Sequence, residues 1–152
     1  MGKADERARM AETIRKFTVK CEPKPQPRAR AARVGKNVRM YTPNTAQVFR
    51  TMAGMAAWEE IPDGELPIQV GVHIDAVYFL RRPKRLKAEE AVRHTAKPDL
   101  DNLDKSLRDG LQHAGVLSDD CKIYSSSSKK FYTDDGKSPR CDVTLVFDPE
   151  ED

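Results

Sequence analysis

The sequence predicts a single α+β domain on a mixed sheet of about four to five strands with two main helices. Three observations predict it. Hydrophobic patterns of period two and period 3.6 succeed one another in the order β, α, β, α, β, β, which suits neither an all-helical nor an all-strand core. The 152 residues suffice for one core, since a chain of that size buries about two-thirds of its unfolded surface. Hydrophobic residues make up 38% and charged residues 34%, polar for a globular chain but enough to close a core.

Each element has its own signal. Residues 1–13 are charged, show no clean apolar stripe and are expected as a mobile arm before a domain at 14–149, with 150–152 as a tail. Ile14 to Cys21 reads as a strand, with Phe17 and Val19 on one face. Pro23, Pro25 and Pro27 then enforce an extended path. Six Lys/Arg from Lys24 to Arg39 follow without acidic relief, which predicts a basic loop folded as a hairpin. Between Thr42 and Glu60, the spacing of Val48, Met52, Met55, Ala56 and Trp58 predicts an amphipathic helix, with Thr42 or Asn44 as its cap. Residues 67–80 alternate as one long strand, placing Val70, Val72, Ile74, Ala76, Tyr78 and Leu80 opposite Gln69, His73 and Asp75. Residues 81–97 hold no sustained period and read as a loop. From Asp99 or Asp101 to Ala114, Leu100, Leu103, Leu107 and Leu111 form one helical stripe, stopped by Gly115. Gly110 inside that helix is compatible with a close helix contact. Strands at Lys122 to Tyr132 and Arg140 to Phe147 complete the domain, with the serines at 125–128 expected at an exposed edge or bulge.

Charge is divided along the chain. Residues 1–40 hold 12 Lys/Arg against 4 Asp/Glu, and residues 81–97 hold 7 against 2. Residues 98–152 reverse this, with 7 basic against 13 acidic. Two basic segments and an acidic one suit a protein that attracts a polyanion and holds a cation, although solvated loops explain the same blocks. Cys21, Cys121 and Cys141 form no CxxC pair, which argues against a disulfide framework or a structural zinc site. No apolar run approaches the roughly 18 residues that span a bilayer, and the start lacks a signal peptide's apolar stretch, so no membrane partner and a cytoplasmic location are expected.

The chemistry concentrates between Pro98 and Asp120. Asp99 and Asp101 flank Leu100 at a helix start, Lys105 lies one turn beyond Asp101, and Asp119-Asp120 follows the helix. If the chain returns beside the helix start, these carboxylates converge. Oxygen donors without cysteine or paired histidine suit a hard ion, so Mg2+ is the expected cofactor. The plainer readings are N-capping for the first pair, a turn for the second, and an i,i+4 ion pair for Lys105. Asp104 reads as structural, paired with Arg108.

The stretch KPDLDNLDKSLRDGLQHAGVLSDD resembles the signature of RusA-type endodeoxyribonucleases, the RusA family of Holliday junction resolvases: a DxDN, a Lys four beyond the second Asp, and a DD pair. The likeness extends more loosely to PKPQPRARA and the strand order. It implies that Asp99, Asp101 and Asp120 are the metal-binding catalytic carboxylates and Lys105 a catalytic lysine near the phosphate, with Asp119 a weaker candidate. It also implies a homodimer that cuts four-way DNA junctions with magnesium by paired nicks, in recombination and repair.

Lys24, Arg28, Arg30, Arg33 and Lys36 are the first candidate DNA contacts, since phosphate neutralisation dominates nucleic-acid affinity. Arg81, Arg82, Lys84 and Arg85 form a second group, and His94 and Lys97, just before the motif, a third. Tyr41, Phe131 and Tyr132 are candidates for stacking on bases, or core residues. His73, Asp75 and His113 are left outside the catalytic set. Two rivals share these residues: a non-catalytic DNA-binding protein, for which the acids are caps and turns, and a nuclease acting on other branched DNA or on RNA.

Overall fold

The computed structural model describes residues 12–41, 43–86, 92–134 and 136–151. Most of the expected arm and the candidate cap Thr42 lie outside them. Among the described residues, six strands and two helices run in the order β1 (Thr13–Val19), β2 (Arg30–Val34), β3 (Asn37–Tyr41), α1 (Gln47–Glu60), β4 (Val72–Leu80), α2 (Leu100–His113), β5 (Ile123–Tyr132) and β6 (Arg140–Phe147). The main sheet has strand order β1-β6-β4-β5, antiparallel except for the β4/β5 pair; β2 and β3 form a separate ribbon. This is the α+β domain with a mixed sheet that the patterns predict. A parallel pair needs a crossover connection, and α2 lies within the one joining β4 to β5.

Both helices bury their apolar faces with one side of the sheet. Phe17 and Val19 of β1, alternate residues of β4 from Val72 to Leu80, and Val143 and Leu145 of β6 join Leu103, Leu107 and Leu111 of α2 in one core. Each such side chain contributes roughly 1.5–3 kcal/mol by leaving water. The α2 stripe is the expected one, with Leu100 half-buried at its start.

Helix α1 differs from expectation in both face and start. Its buried residues are Phe49, Ala53, Gly54 and Ala57, whereas Val48 is 69% and Met55 56% exposed. The cause is a close approach of the two helices. A Cβ on Gly110 would lie 2.7 Å from the Arg50 carbonyl oxygen, and one on Gly54 2.5 Å from the Ala114 Cβ. Only small residues fit that contact, so Val48 and Met55 stand outside it, while Phe49 is buried and Met52 and Ala56 of the expected stripe pack partly buried against the core. Trp58 sits at the rim, its indole N–H donating to the Ala114 carbonyl at 2.7 Å. Asn44 does not cap α1 with its side chain; Ala46 holds the N-cap position without a side-chain bond, and the Asn44 carbonyl accepts from the Gln47 N–H.

Strand β4 is shorter than expected, because residues 67–71 leave the sheet after the cis Leu66-Pro67 bond and keep only an isolated bridge from Ile68 to Leu117. The serines of β5 occupy an edge, as expected, and a register irregularity falls beside them at Val72/His73. They also make specific bonds. Ser125 meets His73 at 2.9 Å, Ser127 donates to Asp75, and Ser128 donates to Asp104 on α2.

Candidate active site

The N-terminal end of α2 is where the basic and acidic segments meet. Asp99 occupies the N-cap position in extended geometry, yet its side chain makes no capping bond. It instead accepts from Lys97 Nζ at 2.9 Å. This hydrogen bond and charge hold the Asp99 carboxyl below the ordinary carboxylate range, with Lys130 and Arg28 adding to the effect. Capping therefore does not explain Asp99, and Lys97, expected as a DNA contact, is also the partner of a candidate metal ligand.

The proline-rich segment completes the site. The Gln26 N–H donates to the Asn102 carbonyl at 3.0 Å, fastening residues 22–28 across the first turn of α2. Between them lies a cleft of about 550 Å³ lined by Lys24, Arg28, Lys97, Pro98, Asp99 and Asn102, among others. Three of the expected DNA contacts, Lys24, Arg28 and Lys97, thus share a cleft with the first carboxylate of the motif. Asp101 and Lys105 follow on α2, both exposed, and among the described residues no ion pair joins them.

Lys130 of β5 was not singled out by the sequence. Its Nζ donates to the Ala96 and Pro98 carbonyls at 2.8 and 2.7 Å, tying the loop that carries Asp99 to the sheet. Burial pulls its pKa down, while Asp99 opposes the shift. The available signal was parity, since Lys130 falls on the alternation of Ser128, the side of β5 that faces α2.

Asp120 lies elsewhere. It opens a 3-10 turn after α2, hydrogen-bonded to Asp119, and that sharing together with burial and the charges of Asp119 and Asp109 pushes its carboxyl up; Arg108 opposes. Asp119 accepts from the Cys121 N–H at 3.0 Å and is lowered by that bond. Asp109 and Arg108 belong to the far half of α2, so the returning chain passes beside the helix's end rather than its start. The expected convergence of Asp99, Asp101 and Asp120 does not occur: among the described residues, no group of three or more His, Cys, Asp or Glu is placed to hold one ion. The connection is held at the helix end, where the Val116 N–H donates to the Leu111 carbonyl at 2.9 Å and Ile68 bridges Leu117, so the chain does not run back along α2 before Asp120.

The other candidates divide by environment. Asp104 is structural, but through Tyr78 and Ser128, whose hydroxyls donate to it at 2.6 and 2.8 Å, rather than through Arg108. Arg30, Arg33 and Lys36 are exposed on the β2/β3 ribbon. Arg81, Arg82 and Lys84 border a separate depression, with Arg85 exposed beside it; Arg81 lies 3.6 Å from Glu22 and Arg82 donates to the Thr133 carbonyl. His94, expected as a DNA contact, is instead buried, 8% exposed, with its ring against Tyr132. Phe131 stacks on Phe79, which leaves Tyr41 the exposed member of the aromatic candidates. His73 and Asp75 point to the side of the sheet opposite α2, since they alternate with the core residues of β4.

Residues 20–145 match the profile of the family described as Endodeoxyribonuclease RusA. The chain belongs to the RusA endodeoxyribonuclease family. It is therefore read as an enzyme, a nuclease of the hydrolase class. It is also 31% identical over 139 residues to a Bacillus subtilis (strain 168) protein described as "Uncharacterized protein YqaN", covering 86% of this chain and 94% of that protein. Among the described residues no helix is long and apolar enough to cross a membrane.

Proposed function

We propose that this RusA-family chain resolves four-way DNA junctions by magnesium-dependent hydrolysis of phosphodiester bonds, as a cytoplasmic homodimer introducing paired symmetric nicks in recombination and repair. The observation that carries the reading is the cleft at the start of α2, where Lys24, Arg28 and Lys97 surround Asp99. A carboxylate held ionised among cations offers a hard oxygen at the point where those cations would hold a phosphate. Two-fold symmetry of a dimer suits a substrate with the same symmetry.

The donor chemistry fits magnesium. Asp99, Asp101 and Asp120 offer only hard oxygens and lie at the surface; magnesium uses one or two carboxylates with substrate phosphate and water, so a closed cage of three is not required. When bound, such an ion lowers the pKa of an attacking water and neutralises charge growing on the phosphate. Asp99 and Asp101 would hold it at the cleft, while Asp120, the third carboxylate of the motif, would offer its oxygens to a cation at the far end of α2. Lys97 keeps Asp99 ionised and available. Lys24 and Arg28 hold the phosphodiester, Lys105 stabilises the negative charge developing on it, and Lys130 fixes the loop on which Asp99 stands.

The test is an assay of purified protein on a synthetic four-way junction beside a linear duplex of the same sequence, with magnesium and with EDTA. Symmetric nicks on the junction alone, with metal alone, are expected. Tight binding without nicking in either condition would assign the chain to the non-catalytic rival. Equal cutting of flaps, forks or RNA would remove the junction from the proposal.

A further inference from the structure

The β2/β3 ribbon is not used by the cleft. It belongs to no other sheet; nine of its ten strand residues are exposed and Ala32 is half-buried. Val38 is 70% and Met40 63% exposed. A lone two-stranded ribbon is marginal in water, so so much exposed apolar surface calls for an occupant. Its charge says which kind. Residues 23–58 hold seven Lys/Arg and no Asp/Glu, and four of the seven, Arg30, Arg33, Lys36 and Arg39, are on the ribbon.

Register distributes those charges. Directly opposed residues share a face, so Arg30 with Tyr41 and Ala32 with Arg39 lie on one side. Ala31 with Met40 and Arg33 with Val38 lie on the other. Each face therefore carries arginine, and alanines thin the middle of both. A ribbon lying flat on a protein or a membrane would confine its cations to one side. Cations on both sides suit a ribbon between two phosphate walls, and the major groove, about 12 Å wide, admits a two-stranded β-ribbon. Five residues extend about 17 Å, which reaches well into the groove. Gly35, at φ +63°, makes the two-residue turn at the tip, where Lys36 adds a further charge.

We propose that this ribbon is a DNA-binding arm that enters the major groove of duplex DNA. Arg30 and Arg39 contact phosphates on one wall and Arg33 those on the other, where Val38 and Met40 share its face, and Lys36 adds its charge at the tip. Arg28, which borders the cleft, precedes Arg30 by two residues, so the duplex held by the arm leads directly into that cleft. The identity of the DNA as substrate rests on the endonuclease reading; the arm's own test does not use cleavage.

The full chain is titrated with a short labelled duplex in EDTA over a salt series, followed by fluorescence anisotropy. Arg30→Ser with Arg39→Ser empties one face of arginine and Arg33→Ser the other; all three sites are exposed, and thermal melts check the fold. The slope of log affinity against log salt is expected to fall by about 1.8 for the double variant and about 0.9 for the single one. Methyl green, which occupies the major groove, should compete, and netropsin, in the minor groove, should not. A slope change from only one face, competition by netropsin alone, or no change would overturn the arm. So would unchanged duplex binding with a shift from dimer to monomer in ultracentrifugation, which would make a second copy the occupant. If the parent chain nicks no DNA with magnesium while these variants still lose duplex affinity, the endonuclease reading fails and the arm stands.

Discussion

The two ends of α2 hold carboxylates in opposite company. At the start, Asp99 has Lys97, Lys130 and Arg28 around it and is held ionised. At the far end, Asp120 has Asp119 and Asp109, with Arg108 in partial opposition, and is pushed toward its protonated form. The first end is already compensated by the protein and open to a phosphate. The second has an excess of negative charge that an added cation would relieve most. Acidic residues of one motif thus stand in opposite electrostatic surroundings, a distinction that spacing along the chain does not carry.

The largest effect expected from breaking this contrast is at the first end. Asp101→Asn should reduce junction cleavage to background while junction binding holds or tightens, because one negative charge is removed near the phosphate path. Parental cleavage by this variant in a gel assay would remove Asp101 from the proposed machinery. Lys105→Ala should lower kcat by roughly 10²–10³, the usual loss of one donor to a developing negative charge, with junction affinity changed much less. A rise in KM alone would instead make Lys105 a binding residue.

At the far end, Asp120→Asn relieves the repulsion and should raise the melting temperature in EDTA. Magnesium should stabilise the parent by about 2.7 kcal/mol at a hundred times its Kd and the variant by less. Identical magnesium-induced shifts, measured by calorimetry, would show that Asp120 holds no ion. Gly110→Ala places a Cβ 2.7 Å from the Arg50 carbonyl oxygen in the contact that seats the far half of α2. Such overpacking should cost about 1–3 kcal/mol in urea unfolding. A neutral result would mean that the two helices separate freely.

The smallest effect concerns His94, behind the Asp99 loop, whose pKa burial lowers, with Lys130 adding to the shift. A depressed histidine pKa means that the unfolded chain takes the proton first as pH falls. Its contribution is therefore complete above the unfolded value, about 6.5, and is lost below it. His94→Gln should flatten the fall of the urea midpoint between pH 7.5 and 5.5. Parallel pH profiles for parent and variant would place that proton on another group.

The legibility of the chain followed the size and regularity of its side chains. In α2, leucines at helical spacing had one possible buried face, and in β4 and β6 strict alternation left no second register. In α1 the marked stripe held Val48 and Met55, but full burial went to Phe49 and, where the approach to Gly110 admits only small residues, to Ala53, Gly54 and Ala57. Residue type could not rank a methionine below an alanine without the neighbouring helix. Asp99, Asp101 and Lys105 were legible as a motif at a helix start, and the resemblance to RusA proteins assigned them roles. Lys130 was not, since its partners are carbonyls of a loop 32 and 34 residues away in sequence.

The sequence by itself determined the fold class, the order of its elements, the family motif and the separation of charge into blocks, because these depend on periodicity and composition within short windows. Only the tertiary structure decided which charges meet. It set Lys24 and Arg28 beside Asp99, left Asp120 near Arg108 and Asp109, and stood the β2/β3 ribbon away from the core. Coulomb interactions depend on distance in space, and the 1.5 Å rise of α2 together with the β4-α2-β5 crossover converts short sequence separations into the distances between those groups.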